Sequence, residues 1–236
     1  LLSQQSRWVE AEPRLRSAIV LAKAMRLHGL RVSASSLLFR RYRATGRRGR
    51  ALGCLKETLR AARALGNESV QASALDAAGD LHRGLAQPEQ ALQSYEQSLD
   101  LFRKLDNREW ALVAKLDIGA LHQACGRWDK AIVWYEACLR DAEATDTAAD
   151  QAAILYELAC LHIHKGEAHK AAQLLLRDMA LYRQMRHTKG ADRVGRTLLG
   201  LGVAMHHRLT ADRLTFRDVE RGSAANDDDQ DGGEKE

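Results

Sequence analysis

The sequence predicts an all-α protein built from antiparallel helical hairpins stacked one on the next. Three observations lead there. Only two prolines and three phenylalanines occur in 236 residues, while alanine, leucine and arginine abound, a balance that favours helix over sheet. An alanine recurs at Ala11, Ala51, Ala91, Ala131 and Ala171, always 40 residues apart, and fixed spacing of this kind marks a repeat architecture. Within one period, Trp128, Ala131, Ile132, Tyr135, Cys138 and Leu139 trace one helical face, and Ala111, Ala114, Ile118, Leu121 and Cys125 trace a second before it.

Other positions keep the same register. Five residues before each alanine stands a small residue (Ser6, Gly46, Ala86, Gly126, Gly166), and four residues after it a bulky one (Leu55, Tyr95, Tyr135, Leu175). Nine residues before it stands a ring: Tyr42, His82, His122 or His162. Each period therefore reads as helix, turn, helix, turn.

Taken in order, a partial first helix over 6–28 carries Pro13 in its interior, where proline kinks or breaks a helix. Its lack of a preceding partner suggests a piece of a longer array or a frayed amino end. Four hairpins follow over about 31–66, 67–106, 107–146 and 147–187. Asn67, Asn107 and either Asp146 or Thr147 are placed to cap the helix that opens each later hairpin. Pro88 fits a first turn, where its missing N–H costs little, and Gly126 suits a left-handed helix end. A final helix spans 190–208. The weakly amphipathic 209–221 is a candidate cap for the last apolar face, and 222–236, with six acids and one lysine, is expected to be disordered.

These residues resemble the tetratricopeptide repeat (TPR) family. The resemblance covers about residues 1–208 and rests on small residues in the first helix of a pair (Gly79, Gly119, Ala159), with rings three positions on. Ala91 with Tyr95 and Ala131 with Tyr135 complete it in the second helix. Phe39 departs from the pattern, standing where the small residue belongs. The usual period is about 34 residues. The longer one here is similar to Pins-like spindle-orientation adaptors, kinesin light chains and some ciliary TPR proteins; HEAT and armadillo repeats are the second choice. The resemblance implies a right-handed superhelix whose concave surface binds protein segments, and a non-catalytic adaptor or scaffold in microtubule, spindle or ciliary machinery.

Carried over position by position, the resemblance places Arg40, Arg43, Asp80, Arg83, Asp117, Gln123 and Glu157 in that groove, with Ile163. The lysine and asparagine of a chaperone carboxylate clamp are missing: Ser36 and Arg40, Asp76 and Asp80, Leu116 and Ala120 stand there instead. Residues 1–66 hold 15 Lys or Arg against 3 acids. Six of those arginines fall between Phe39 and Arg50. Arg40 and Arg43 are expected in the groove and Arg41, Arg47, Arg48 and Arg50 on the edge, which suits a protein or peptide ligand of acidic character. A nucleic-acid-binding helical repeat is the alternative, but aromatics are not interleaved with the arginines as base stacking requires.

No Gly-rich phosphate loop, G-x-S-x-G elbow or H-E-x-x-H helix is present, so no enzyme, metal or cofactor is expected. His82, His122 and His162 occupy equivalent places about 10 Å apart in such a stack, too far to share one ion. Cys54, Cys125, Cys138 and Cys160 show no CxxC spacing and read as reduced, small core residues. With no run of 18 apolar residues and no secretory signal, the expectation is a soluble, cytoplasmic protein without a membrane partner.

Overall fold

The computed structural model describes residues 2–202, all of whose regular structure is helical. The candidate cap at 209–221, the acidic tail and the end of the last predicted helix lie outside the described residues. The helices are α1 (Leu2–Ala24), α2 (His28–Ala44), α3 (Arg48–Leu65), α4 (Glu68–Gly84), α5 (Pro88–Lys104), α6 (Arg108–Ala124), α7 (Trp128–Ala144), α8 (Ala148–His164) and α9 (Ala168–Gln184). A tenth, α10, is described over 188–202. The chain forms two compact units, one up to Asp141 and one from Ala142.

The backbone repeats at half the period of the side chains. A residue with positive φ ends each helix at Arg26, Gly46, Gly66, Ala86, Asp106, Gly126, Asp146, Gly166 and Arg186, one every 20 residues. At each of these turns the left-handed N–H bonds back three residues and the next N–H bonds back five. Ala86 N donates to Arg83 O at 3.1 Å and Gln87 N to His82 O at 2.9 Å. This is the Schellman pairing, which satisfies carbonyls that the helix end would orphan. The recurring small residue of the sequence is the left-handed position, except at Ser6, where α1 is helical throughout. A left-handed alanine is strained by about 1 kcal/mol, so Ala86→Gly is expected to raise stability by about 0.5–1 kcal/mol in urea denaturation. An unchanged or lower midpoint would count against that reading of the turn.

The caps divide two to one. Asn67 Oδ1 accepts from Val70 N at 3.1 Å, and Asn107 Oδ1 from Trp110 N at 3.2 Å. Thr147 holds the cap position of α8, but its hydroxyl donates back to the Ala142 carbonyl at 3.3 Å, and Asp146 is the left-handed residue instead. Pro88 lies in the first turn of α5. α1 runs through Pro13 without a break.

In the first unit the core is a chain of small-against-large contacts. Gly79 of α4 lies under the ring of Tyr95, where an added Cβ would come 2.5–2.9 Å from three ring carbons; at Gly119 the corresponding distances to Tyr135 are 3.1–3.3 Å. Phe39, the departure from the small-residue pattern, is buried in one cluster with Leu55, a side chain smaller than tyrosine. The core of the second unit centres on Ala159, Leu175 and Val194. Equivalent positions of the second helices hold small polar groups, Thr58, Ser98 and Cys138 in the first unit and Asp178 in the second, each at most 2% exposed. The Ser98 hydroxyl donates to the Ala72 carbonyl (2.9 Å), and the Thr58 and Ser35 hydroxyls pair at 2.7 Å. Of the four cysteines only Cys138 is fully buried; Cys54 and Cys160 are half-buried and Cys125 is exposed, which corrects the expectation that all are core residues.

Candidate functional site

Most of the arginine-rich stretch is engaged inside the first unit. Glu12 of α1 accepts the Tyr42 hydroxyl at 2.6 Å and pairs with Arg16 at 2.7 Å and with Arg47 and Arg50 at 3.7 Å. The Tyr42 bond, with the arginines behind it, holds its carboxyl below the usual range. Arg41 lies over the Trp8 ring at 5.4 Å, and Arg48 donates to the Gly84 carbonyl. A second acid, Glu57, accepts buried Arg31 at 2.5 Å. Two of the three acids of residues 1–66 thus tie together arginines drawn from several helices. Arg40 is exposed and makes no ion pair among the described residues, and Arg43 lies 5.5 Å from the Phe39 ring with its side chain in solvent.

The first helices of successive hairpins present equivalent faces in the first unit. On α4 and α6 the structure brings together Asp80, Arg83 and Asp117. Arg83 Nη2 donates to Asp80 Oδ1 at 2.8 Å, and its Nη1 lies 3.6 Å from Asp117 Oδ1. Asp80 also accepts the Tyr95 hydroxyl at 2.9 Å, so the ring that packs on Gly79 fixes the carboxylate one residue later. The side chains of Asp80 and Arg83 remain 42% and 37% exposed, open to a ligand.

Asp76, one helical turn before Asp80, is the member that sequence reasoning leaves out. Its Oδ1 is enclosed and has no hydrogen-bond partner. Burial first, and then the charges of Asp117 and Asp80, push its carboxyl up to about 6, against the pull of Arg83; burial and Asp80 do the same to Asp117, also to about 6. Three carboxyl groups against one guanidinium make this face anionic. The readable signal was the four-residue spacing of Asp76 and Asp80, which puts both on one side of α4.

The remaining candidates are not part of this cluster. Gln123 accepts the Tyr135 hydroxyl at 2.9 Å, and Glu157 and Ile163 are half-buried on α8 in the second unit. Apolar groups flank the cluster's helices: Leu30 and Leu37 of α2 are 48% and 50% exposed, and Trp110 of α6 is 44% exposed while stacking on Phe102 at 5.9 Å.

The three repeated histidines act locally. Nδ1 of His82 bonds Gln87 at 2.8 Å and that of His162 bonds Glu167 at 2.9 Å, each reaching the residue five positions on. At His122 that residue is Arg127, which offers no acceptor, so Nδ1 is buried without a partner; burial and the cations Lys130 and Arg127 lower its pKa. Among the described residues no three His, Cys, Asp or Glu are grouped to hold a metal ion, and no helix is long and apolar enough to cross a membrane.

No family model matches the sequence, and a search of curated proteins finds no match. Solved structures do match. BtubC (BKLC) from P. vanneervenii superposes with a TM-score of 0.67 at 16% identity, over 97% of this chain and 94% of that one. A putative kinesin light chain from Podosopora anserina, with nearly identical TPR-like repeats, gives 0.62 at 18% identity over 86% and 98%. A Rap protein complexed with competence and sporulation factor gives 0.52 at 16% identity over 83% and 59%. At these identities the likeness is one of fold: the chain has a TPR-like architecture, all-α, with helices paired in sequence order.

Proposed function

We propose that the chain is a non-catalytic adaptor that holds a segment of a partner protein against the exposed faces of α2, α4 and α6. The observation that carries this reading is the Asp80–Arg83–Asp117 network with Asp76 behind it: polar groups fixed by packing, open to solvent, and flanked by exposed leucines and Trp110. An extended segment would set a lysine or arginine over the α4–α6 carboxyl groups and an acidic group on Arg40 and Arg43. The acidic character expected of the ligand is thereby confined to α2. The Rap conjugation gene regulator of the plasmid pLS20, solved in complex with the Phr* peptide, supports a segment-binding role for this fold. A cytoplasmic setting in microtubule, spindle or ciliary machinery rests on the sequence resemblance alone.

The nucleic-acid alternative loses ground because Arg41, Arg47, Arg48 and Arg50 are spent on contacts within the molecule. A display selection with random peptides, counter-selected with oligonucleotides, tests both readings. Peptides carrying a basic residue should be enriched, and Asp117→Lys should weaken them by about tenfold or more, equivalent to about 1.4 kcal/mol. Enrichment of oligonucleotides, or peptides indifferent to Asp117→Lys and to Arg40→Glu, would reject the proposal.

A further inference from the structure

We infer that α10 is docked beside a buried carboxyl group that the closed core holds more readily protonated than ionised, so that the helix is held more firmly in acid and loosened as the pH rises toward neutrality. The group is Asp178. It is 0% exposed, and neither of its oxygens has a hydrogen-bond partner. Its counterparts one and more periods earlier are neutral. Ser98 and Thr58 satisfy their hydroxyls with hydrogen bonds, and Cys138 is a thiol whose pKa burial pushes up to about 12. Of these four residues Asp178 is the one whose ionisation near neutral pH places a charge in the core.

Along α9, Asp178 stands among the residues that α10 packs against. Leu174 and Leu175 precede it by one turn and Tyr182 follows by one turn, and these pack with Met179, Leu198 and the fully buried Val194. α10 approaches closely, with Gly195 in contact range of the Met179 methyl (3.7 Å for an added Cβ). Among the described residues Arg193 of α10 is the charged group that acts on Asp178. Its guanidinium is held elsewhere, 4.2 Å from the Tyr156 ring and 3.1 Å from the Tyr182 hydroxyl, and makes no hydrogen bond to the carboxyl. On α8, Cys160 interacts with Glu157 and Arg193, and on α9 itself Arg177 turns to Glu143. Among the described residues, then, Arg193 acts on an ionised Asp178 only from a distance, without a hydrogen bond.

Burial raises its carboxyl to about 6. With α10 lifted and the group hydrated, it returns to about 3.9. The closed form therefore binds the proton more tightly, and the opening constant rises tenfold per pH unit between those values, about a hundredfold in all, and is flat above them. Opening uncovers the apolar side of α9, a face offered at neutral pH and closed in acid.

Hydrogen–deuterium exchange of the full chain, corrected for the intrinsic pH dependence of amide exchange, tests this between about pH 4 and pH 7. In the unsubstituted chain the protection of amides in 188–202 should fall by about a hundredfold over the lower two units and then level off. Asp178→Asn keeps the shape without the charge and should hold α10 at every pH; Asp178→Ser, the residue found at Ser98, is a second neutral variant. Amides of α4 in the other unit should respond to neither substitution. The inference fails if protection of 188–202 in the unsubstituted chain ignores pH. It also fails if both variants keep the pH slope, or if both lose protection throughout, since a neutral group would then not suffice.

Discussion

Gly79→Ala is expected to destabilise the fold by about 1–2 kcal/mol, against the usual direction for this exchange. In an exposed helix interior, alanine for glycine gains about 1 kcal/mol from backbone entropy. Here the new methyl would sit 2.5 Å from a carbon of Tyr95, a ring that is 0% exposed and anchored at its hydroxyl by Asp80. Overpacking of this kind costs about 1–3 kcal/mol, enough to cancel the gain and reverse it. The chain contains the compensated pair: Ala159 with Leu175 at the equivalent positions of the fourth hairpin. Adding Tyr95→Leu to Gly79→Ala should therefore recover part of the loss, a coupling of about 1 kcal/mol in a double-mutant cycle read by urea unfolding. Strict additivity would show that ring and glycine do not constrain each other. Gly119→Ala is the graded control, because its methyl would meet Tyr135 at 3.1 Å and clash and gain should nearly balance.

The first unit is expected to gain stability as the pH falls from 6 to 4. Asp76 and Asp117 have folded-state values of about 6, above the 3.9 of an unfolded aspartate. Through that window the folded state binds more protons than the unfolded one, so stability is highest below 3.9 and declines as the pH climbs through 6. Two such shifts amount to about 6 kcal/mol undiscounted; partial exposure of both groups, 23% for the Asp117 side chain, reduces this to about 2 kcal/mol. His122 works in the opposite sense, since its lowered pKa favours the fold as the pH rises. The informative quantity is the difference between the unsubstituted chain and Asp117→Asn, in which the histidine contribution cancels. Asp117→Asn should be the more stable near neutrality by about 1 kcal/mol and the two should converge by about pH 4. Parallel pH profiles would mean that Asp117 is solvated as an ordinary surface acid.

Much of the fold was legible because packing requirements constrain residue size at fixed spacing. Gly79 and Gly119, Tyr95 and Tyr135, and the alanines every 40 residues announce the hairpins, while Asn67, Asn107 and Pro88 mark where helices begin. The 20-residue backbone period was not legible. Its left-handed positions are held by two main-chain hydrogen bonds, and those tolerate Arg26, Ala86, Asp106, Asp146 and Arg186 as well as glycine. The candidate site was readable one helix at a time. Asp80 and Arg83 announce themselves by spacing, but their junction with Asp117 and the enclosure of Asp76 depend on how α6 lies beside α4. The contacts of the arginine stretch were hidden for the same reason: Glu12, which gathers Arg47 and Arg50, stands 35 or more residues away in sequence. Asp178 could have been flagged from register alone, as the acid in a column of Thr58, Ser98 and Cys138.

The equal spacing of helices and turns also bears on how the chain reaches this state. Side-chain hydrogen bonds between helices join positions about one repeat apart, as Lys104 to Glu68 (36 residues) and Tyr156 to Thr197 (41 residues) do. The ordering entropy of closing loops is then small at every step, and low contact order of this kind goes with folding in microseconds to milliseconds. Each hairpin needs only its neighbour to bury its apolar side. Within each unit structure can therefore spread along the chain in the direction of synthesis, each pair of helices settling on the one before it as it leaves the ribosome.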